Sequence, residues 1–221
     1  MNRSKIFYSA QHRLIAAEIK TLINAQPDFL SLRSISSTRA AGDALQDLLA
    51  EHFQALLGNC CKEYSSAFAR RAMADLAFKD TDDFYCVVDV KTHRKEAGFH
   101  MPNLTSVERL ARFYEDDSNY FVVLFVGYSI KGTQVTAEDV HFVPIEFLSW
   151  RCLTIGALGW GQIQIANSER MEIVEGASRR QWMLEFCDKL LEFYPREIGK
   201  ITNRIDHFRK IREFWERKEE A

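Results

Sequence analysis

The sequence predicts an α/β protein with a mixed central β-sheet flanked by helices. Apolar residues recur at helical spacing near the start of the chain and again near its end. Between these regions lie short runs rich in β-branched and aromatic residues, which are typical of strands. Helices, then strands, then helices form the pattern expected of a sheet covered by helices.

Helical periodicity is found at both ends of the chain. Residues 4–25 and 40–57 place leucine, isoleucine and phenylalanine three and four positions apart, which predicts two amphipathic helices. Residues 179–193 and 196–217 predict two more, parted by Pro195, because proline lacks the amide N–H that continues a helix. The last helix mixes basic with acidic residues, which favours a solvated face over a DNA-binding one.

Apolar runs predict four strands in the middle of the chain. They are 72–78, 84–90, 120–130 and 135–143, with turns at 80–83 and 131–132. Between the second strand and the third, Thr105 is predicted to cap a helix, because Glu108 stands at the capping-box spacing.

Composition is that of a soluble globular protein, with 47% hydrophobic and 27% charged residues over 221 positions. No run approaches the roughly 18–20 apolar residues of a membrane span, and no signal peptide is recognisable, so a cytoplasmic protein without membrane contact is expected. Five cysteines without a CxxC pair favour reduced thiols over zinc ligands. A net charge of −2 argues against DNA binding without excluding a basic cleft.

Two acids and a lysine stand out in the predicted hairpin. Asp75 lies on its first strand, and Asp89 and Lys91 lie two residues apart at the end of its second. Asp89 and Lys91 therefore leave the same face, and opposite positions on adjacent strands are about 5 Å apart. Two carboxylates can hold magnesium, while a lysine orients water and stabilises charge during phosphodiester hydrolysis. The alternative is a strand-end salt bridge between Lys91 and Asp75.

At these residues the chain resembles the PD-(D/E)xK nucleases, and more closely the type II restriction endonucleases of the HincII and EcoRV kind. The motif is Asp89-Val90-Lys91-Thr92, although Ala74 replaces the usual proline before the first acid. Further similar segments occur in the same order, at 40–43 (AAGD), 100–112, 162–164 (QIQ) and 178–182. The resemblance implies a restriction-endonuclease-like fold and a Mg²⁺-dependent homodimer that cuts double-stranded DNA, leaving 5′-phosphates and blunt ends.

The resemblance also implies the roles of individual acids. Asp75, Asp89 and Lys91 would form the catalytic set, with Asp75 and Asp89 as the magnesium ligands. Asp47, or alternatively Asp43 one turn earlier, would supply an auxiliary acid from the N-terminal helix. The other interpretation of Asp47 is an ordinary solvated helix surface.

A second set of residues is predicted to contact DNA. Asn103 could read a base edge and His100 could wedge between bases, the alternatives being a helix cap and an ordinary exposed histidine. Glycines around Trp160 would let backbone approach a groove, unless Trp160 is simply a core residue. The full predicted set is Arg94, Lys95, His100, Met101, Asn103, Arg109, Trp160, Gln162 and Gln164.

The simplest organisation is one endonuclease domain over 1–221. Residues 1–60 would provide the dimer surface, 70–145 the catalytic sheet, and 150–221 a recognition loop and the C-terminal helices. A homodimer would match a two-fold symmetric DNA site. A repair nuclease or junction resolvase of the same fold, or a non-catalytic protein that binds DNA or another partner, remains an alternative.

Overall fold

The computed structural model describes residues 3–27, 29–30, 37–64 and 74–219. Contacts divide the chain into two compact units, one ending at Ser178 and one beginning at Arg179. The first unit holds all the described strands, and the second is a single long helix. The single domain expected over 1–221 remains a prediction.

Two helices precede the sheet. Helix α1 (Gln11–Asn24) begins later than expected, and no side chain caps its start. Helix α2 (Thr38–Leu57) begins slightly earlier than expected, because the Ser37 hydroxyl accepts a hydrogen bond from the N–H of Ala40 at 3.2 Å. The apolar faces of both helices are buried, through Ile15, Ile19, Ile23, Leu45, Leu49 and Phe53.

Eight strands are described. They are β1 (Cys61–Tyr64), β2 (Leu76–Asp80), β3 (Tyr85–Arg94), β4 (Asn103–Ser106), β5 (Asn119–Lys131), β6 (Gln134–Pro144), β7 (Leu153–Gly156) and β8 (Gln162–Ile165). Five form the main sheet in the order β1-β2-β3-β5-β6. Strands β3 and β5 are parallel and the other pairs are antiparallel, which confirms a mixed central sheet.

Aromatic packing fills the space beside the main sheet. The ring of Phe53 on α2 lies 6.0 Å from that of Phe78 on β2 and 5.9 Å from that of Phe142 on β6, measured between centroids. Phe7 packs 5.3 Å from Tyr120 on β5. The helices and the sheet therefore share one aromatic core, on which the position of α2 depends.

The four predicted strands are confirmed, with bounds that change the position of the acids. Strand β2 begins at Leu76, so Asp75 directly precedes the strand instead of lying on it. Positions 72 and 73 of that prediction fall outside the described residues. Strand β3 continues to Arg94, because β5 pairs with it throughout, so Asp89 and Lys91 lie within the strand and not at its end.

Besides β1 at the edge of the main sheet, three further short strands were not expected. They form an antiparallel sheet in the order β4-β8-β7. Thr105 is buried in β4, and the Ser106 hydroxyl instead caps helix α3 (Val107–Phe113) by accepting a hydrogen bond from the N–H of Arg109 at 3.3 Å. The predicted Thr105 cap is wrong by one residue, since pairing with β8 holds Thr105 in extended backbone.

The second unit is helix α4 (Arg179–Glu216), which contains 38 residues. The prediction of two helices parted at Pro195 is wrong, because the helix continues through the proline. Ion pairs Arg196–Glu192 and Lys200–Glu197 join successive turns around Pro195 and help to offset the missing N–H. In the parts of the chain that the structure describes, no helix combines the length and the apolarity needed to cross a bilayer.

Candidate active site

Asp75 and Asp89 lie on neighbouring chain segments at the open end of the β2–β3 hairpin. The strand register pairs Leu76 with Val88, and the N–H of Asp75 donates to the Val88 carbonyl at 3.0 Å. The Oδ2 of Asp75 accepts a hydrogen bond from the N–H of Val90 at 2.7 Å. Asp75 is therefore fixed to the backbone on both sides of Asp89.

Asp89 is a buried acid whose hydrogen bonding is incomplete. Its Oδ1 accepts a hydrogen bond from Lys91 Nζ at 2.7 Å, whereas its Oδ2 is buried without a partner. Burial raises the pKa of Asp89 to about 7; Lys91 opposes this increase, and the nearby charge of Asp75 adds to it. The strand register sets Asp75 opposite Asp89, so the two carboxyl groups repel each other when both are ionised.

Lys91 connects this acid pair to solvent. Its side chain is 21% exposed, and its ammonium group forms an ion pair with Asp89. The alternative of a salt bridge between Lys91 and Asp75 therefore names the wrong acid. Lys91 pairs with Asp89, which lies on its own strand. An ammonium group held beside a buried carboxylate and still open to solvent can contact an anionic substrate.

A groove of about 520 Å³ runs along the edge of β3 next to Lys91. Its walls come from the start of α2, from β3 and from the segment after β3, and they include Gly42, Asp43, Gln46, Lys91, Arg94 and His100. Helix α2 lies close to the strand here: a Cβ on Gly42 would come within 2.9 Å of Thr92 Oγ1. The AAGD segment is thus explained by a close approach of helix and strand.

The side of α2 that faces the groove separates the two candidate auxiliary acids. Asp43 lines the groove, whereas Asp47 is exposed and is not among the residues of the groove wall. The Nε2 of Gln46 donates a hydrogen bond to the Val90 carbonyl at 3.4 Å, between the two strand residues of the site. The geometry therefore favours Asp43 over Asp47, and it adds Gln46, which the sequence pattern did not suggest.

The two basic residues after Lys91 that were expected to contact phosphate differ in how many acidic partners they have. Arg94 lines the groove and pairs with Glu96 at 3.2 Å. Lys95 pairs with both Glu138 and Asp139 at 2.8 Å, and these carboxylates raise the pKa of its ammonium group. A phosphate would have to displace two acids from Lys95, so Arg94 is the better placed of the two.

The predicted amide residues meet on the three-stranded sheet. Asn103 is paired with Gln164, and its Oδ1 accepts a hydrogen bond from Gln164 Nε2 at 2.6 Å. The Gln164 amide lies over Gly156, where a Cβ would overlap it. Asn103 lies in β4 and does not cap a helix, so the capping alternative is wrong. The pair presents neighbouring amide donors and acceptors, the groups that read adenine edges.

Trp160 lies in the tight turn between β7 and β8. Gly159 and Gly161 on either side of it have φ values of +61° and +123°, in the region that favours glycine. The Trp160 side chain is 77% exposed, so the core alternative is wrong. Trp160, Arg109 and Gln162 border a second cavity of about 400 Å³. His100 and Met101, two further members of the predicted DNA-binding set, are also exposed.

His93 is a site residue that sequence reasoning missed. It lies on the same face of β3 as Asp89 and Lys91 and is 4% exposed. Its Nδ1 is 2.9 Å from Ser168 Oγ, its Nε2 is buried without a hydrogen-bond partner, and its ring is parallel to that of His100 at 6.4 Å. Burial lowers the pKa of His93. The sequence did carry a signal for it, because Asp89, Lys91 and His93 are every second residue of one strand and therefore leave the same face.

The acid pair fits a divalent cation that keeps much of its water. Among the described residues, no group of three or more acids, histidines and cysteines is arranged to bind a metal ion. Two carboxylates are enough for magnesium, which usually completes its octahedron with water and substrate oxygens. Asp89 Oδ2 is the atom that most requires a positive partner, because it is buried and has none.

Comparison with protein-family models and with curated proteins gives no match to this chain. The assignment of a function therefore depends on the geometry of Asp75, Asp89 and Lys91 and on the groove beside them.

Proposed function

We propose that this chain is a cytoplasmic, magnesium-dependent endonuclease of the type II restriction class, which hydrolyses phosphodiester bonds in double-stranded DNA. One observation carries the proposal. Asp75 and Asp89 lie on facing chain segments, Lys91 pairs with Asp89 and lines an open groove, and one buried oxygen of Asp89 lacks a partner. An unpaired buried polar atom costs about 1–3 kcal/mol, and a cation bound at Asp89 would offset that cost.

The acids and the lysine have different tasks in this proposal. Asp75 and Asp89 would hold magnesium, which supplies electrophilic stabilisation of a phosphate oxygen and makes water more acidic at the site. Lys91 stabilises the charge that develops on the phosphate and orients the attacking water. Attack by the water oxygen on phosphorus breaks the bond to the 3′ oxygen and leaves a 5′-phosphate and a 3′-hydroxyl.

The surroundings of the triad suit a polymeric, anionic substrate. The groove is open, and it is bordered by Arg94 on β3 and His100 in the following segment. Asn103 and Gln164 would read base edges from the second sheet, while Arg109 would contact the backbone. A restriction enzyme also requires two active sites for a two-fold symmetric target, so the proposal includes a homodimer.

The decisive experiment is digestion of supercoiled plasmid and linear DNA with the purified full chain, in Mg²⁺ and in EDTA. Discrete fragments in Mg²⁺ and intact DNA in EDTA are expected, and sequencing of the ends would give the site and the cut position. Lys91→Met should slow cleavage by at least about a hundredfold, because it removes one electrostatic element of the site. Lys79→Met, on the adjacent strand β2, is the matched control and should cut at the parental rate.

Each contrary outcome has a definite meaning. Cleavage by Lys91→Met at the parental rate would show that the catalytic centre lies elsewhere. A parent chain that cuts no DNA at all would support the non-catalytic alternative. Cleavage confined to branched or damaged substrates would replace the restriction assignment with a resolvase or a repair nuclease.

A further inference from the structure

Helix α4 carries an apolar stripe with a strict seven-residue repeat. Written as a heptad, its a positions are Leu184, Leu191, Ile198, Ile205 and Arg212. Its d positions are Cys187, Tyr194, Ile201, Phe208 and Trp215. The alternating intervals of three and four continue without a break through Pro195, and such a narrow seam is the signature of a coiled coil.

This seam is exposed in the single chain. The exposed fraction of its large apolar side chains ranges from 37% at Tyr194 to 74% at Leu191. By contrast, helix α1, the dimer surface suggested by the sequence, already buries Ile15, Ile19 and Ile23. A long row of exposed leucine, isoleucine and aromatic residues marks a surface that another protein covers.

We propose that α4 pairs with α4 of a second copy as an antiparallel coiled coil. In the register that overlaps the whole seam, Ile198 packs against Ile201 of the second copy on either side of the two-fold axis. Ile205 then meets Tyr194, Leu191 meets Phe208, and Leu184 meets Trp215. Each a residue thus faces a d residue of the other helix along the full seam.

Charges beside the seam select this occupant and this direction. In the antiparallel register, Glu197 faces Arg204 of the second copy, and two-fold symmetry repeats the pair. Asp188 faces Arg209 in the same way, while the apolar Leu190 faces Ile211. These three flanking pairs are therefore either oppositely charged or apolar, as expected of a specific pair.

A parallel pair lacks this complementarity. It would place Arg212 against Arg212 of the second copy within the seam and Arg204 against Arg209 beside it. Like charges at such positions are destabilising and set the direction of pairing. In the proposed register Arg212 instead faces Cys187 of the second copy, next to Asp188.

Neighbouring antiparallel registers are also disfavoured. Sliding one helix by a heptad in one direction brings Glu197 against Glu197 of the second copy, and sliding it in the other brings Arg204 against Arg204. Both shifts shorten the overlap as well. The full-length register is therefore favoured, because it pairs opposite charges and buries the longest stretch of the apolar seam.

The oligomeric state of the full chain tests the proposal without DNA, so a failure to dimerise through α4 can be told apart from a failure to cleave DNA. Sedimentation at micromolar concentration should give a dimer. Ile201→Asp should raise the dissociation constant at least about a hundredfold, because each dimer would bury two charges in the seam. Asn203→Asp adds the same charge on the outer face of the helix and should leave the dimer intact. A monomeric parent, or an Ile201→Asp variant that remains dimeric, would overturn the proposal.

Cross-linking tests the direction of the helices. Cys187 is a free, exposed thiol, so an Arg212→Cys variant should form a disulfide under mild oxidation between Cys187 and position 212 of the other chain. Peptide mass spectrometry would identify that link, and the parent chain should give no Cys187–Cys187 link. The reverse result would establish a parallel pair. Glu197→Arg should weaken the dimer, and adding Arg204→Glu should restore it, even if Ile201→Asp disturbs folding.

Discussion

Two buried aspartates lie at opposite ends of the β2–β3 hairpin, and their hydrogen bonding differs sharply. Asp80, at the turn, is 1% exposed, and Asp89, at the open end, is 5% exposed. Asp80 Oδ2 accepts a hydrogen bond from Ser4 Oγ at 2.6 Å, and its Oδ1 accepts bonds from the N–H groups of Asp82 and Phe84 at 2.9 Å. Asp89 has one ammonium partner and a second oxygen with none.

The difference gives a criterion for telling a structural acid from a candidate catalytic one. Burial alone does not separate them, because both carboxyl groups are removed from water. Asp80 closes a turn and accepts hydrogen bonds from two backbone N–H groups. These bonds offset the free-energy cost of burying its carboxylate. Asp89 leaves a buried oxygen unsatisfied next to Lys91, and a bound cation would provide the missing partner.

The largest expected effect is on cleavage. Asp89→Asn should reduce the initial rate in Mg²⁺ at least about a thousandfold, because the site loses a charged ligand and the partner of Lys91. Asp80→Asn should cut within about threefold of the parental rate per folded molecule, below its unfolding temperature. Equal losses in both variants would abolish the distinction between the two acids.

The next largest effect is on stability, and here Asp80 matters instead of Asp89. Asp80→Asn should lower the free energy of unfolding by about 2–4 kcal/mol, because the Asp82 and Phe84 N–H groups lose a charged acceptor. Urea denaturation measures this change. Asp82→Asn, which removes only an exposed ion pair with Lys5, should stay within about 0.5 kcal/mol of the parent. A loss below about 1 kcal/mol for Asp80→Asn would show that its bonds are dispensable.

The pH dependence of stability should reveal the cost of ionising the buried Asp89. Its pKa is about 7 in the folded chain against 3.8 as the ordinary value, so folding favours the protonated acid between these limits. The parent should lose stability as the pH rises from about 4 through 7, and Asp89→Asn should not. In EDTA at pH 8 the variant should be about 1–2 kcal/mol more stable, less than the full shift implies because the amide loses its ion pair. Urea denaturation at pH 5 and pH 8 measures the difference, and a pH-independent gap would contradict it.

The smallest expected effect concerns the auxiliary acid on α2. Asp43→Asn should reduce the cleavage rate by about threefold to tenfold, because Asp43 lines the groove. Asp47→Asn, one turn further along the helix, should leave the rate unchanged. The reverse order in a plasmid assay would restore Asp47 as the auxiliary acid.

The central part of the fold could be predicted because its strands carry strong patterns. Strand β5 is an almost continuous apolar run, and Asp89 and Lys91 share a face through simple alternation. Strands β4, β7 and β8 have only four residues each. Such strands give no clear periodicity, and their pairing depends on contacts distant in sequence.

Other features required tertiary information. Pro195 indicated a break, whereas the structure shows that helix α4 continues through it. The choice between Asp43 and Asp47 depended on which side of α2 faces β3, and two acids one turn apart do not reveal this. The free oxygen of Asp89 and the saturated oxygens of Asp80 could not be distinguished from sequence, because both are aspartates bordering apolar strands.

The close approach of Gly42 to Thr92 has a consequence for how such a groove could change during evolution. Thr92 is β-branched and rotates with difficulty, so a methyl group at position 42 would push the helix outward. Asp43 and Gln46, which line the groove from this helix, would move with it. One hydrogen atom in place of a methyl group thus sets the gap between helix and strand, and substitutions at this point would change the width of the groove while the acids themselves stay the same.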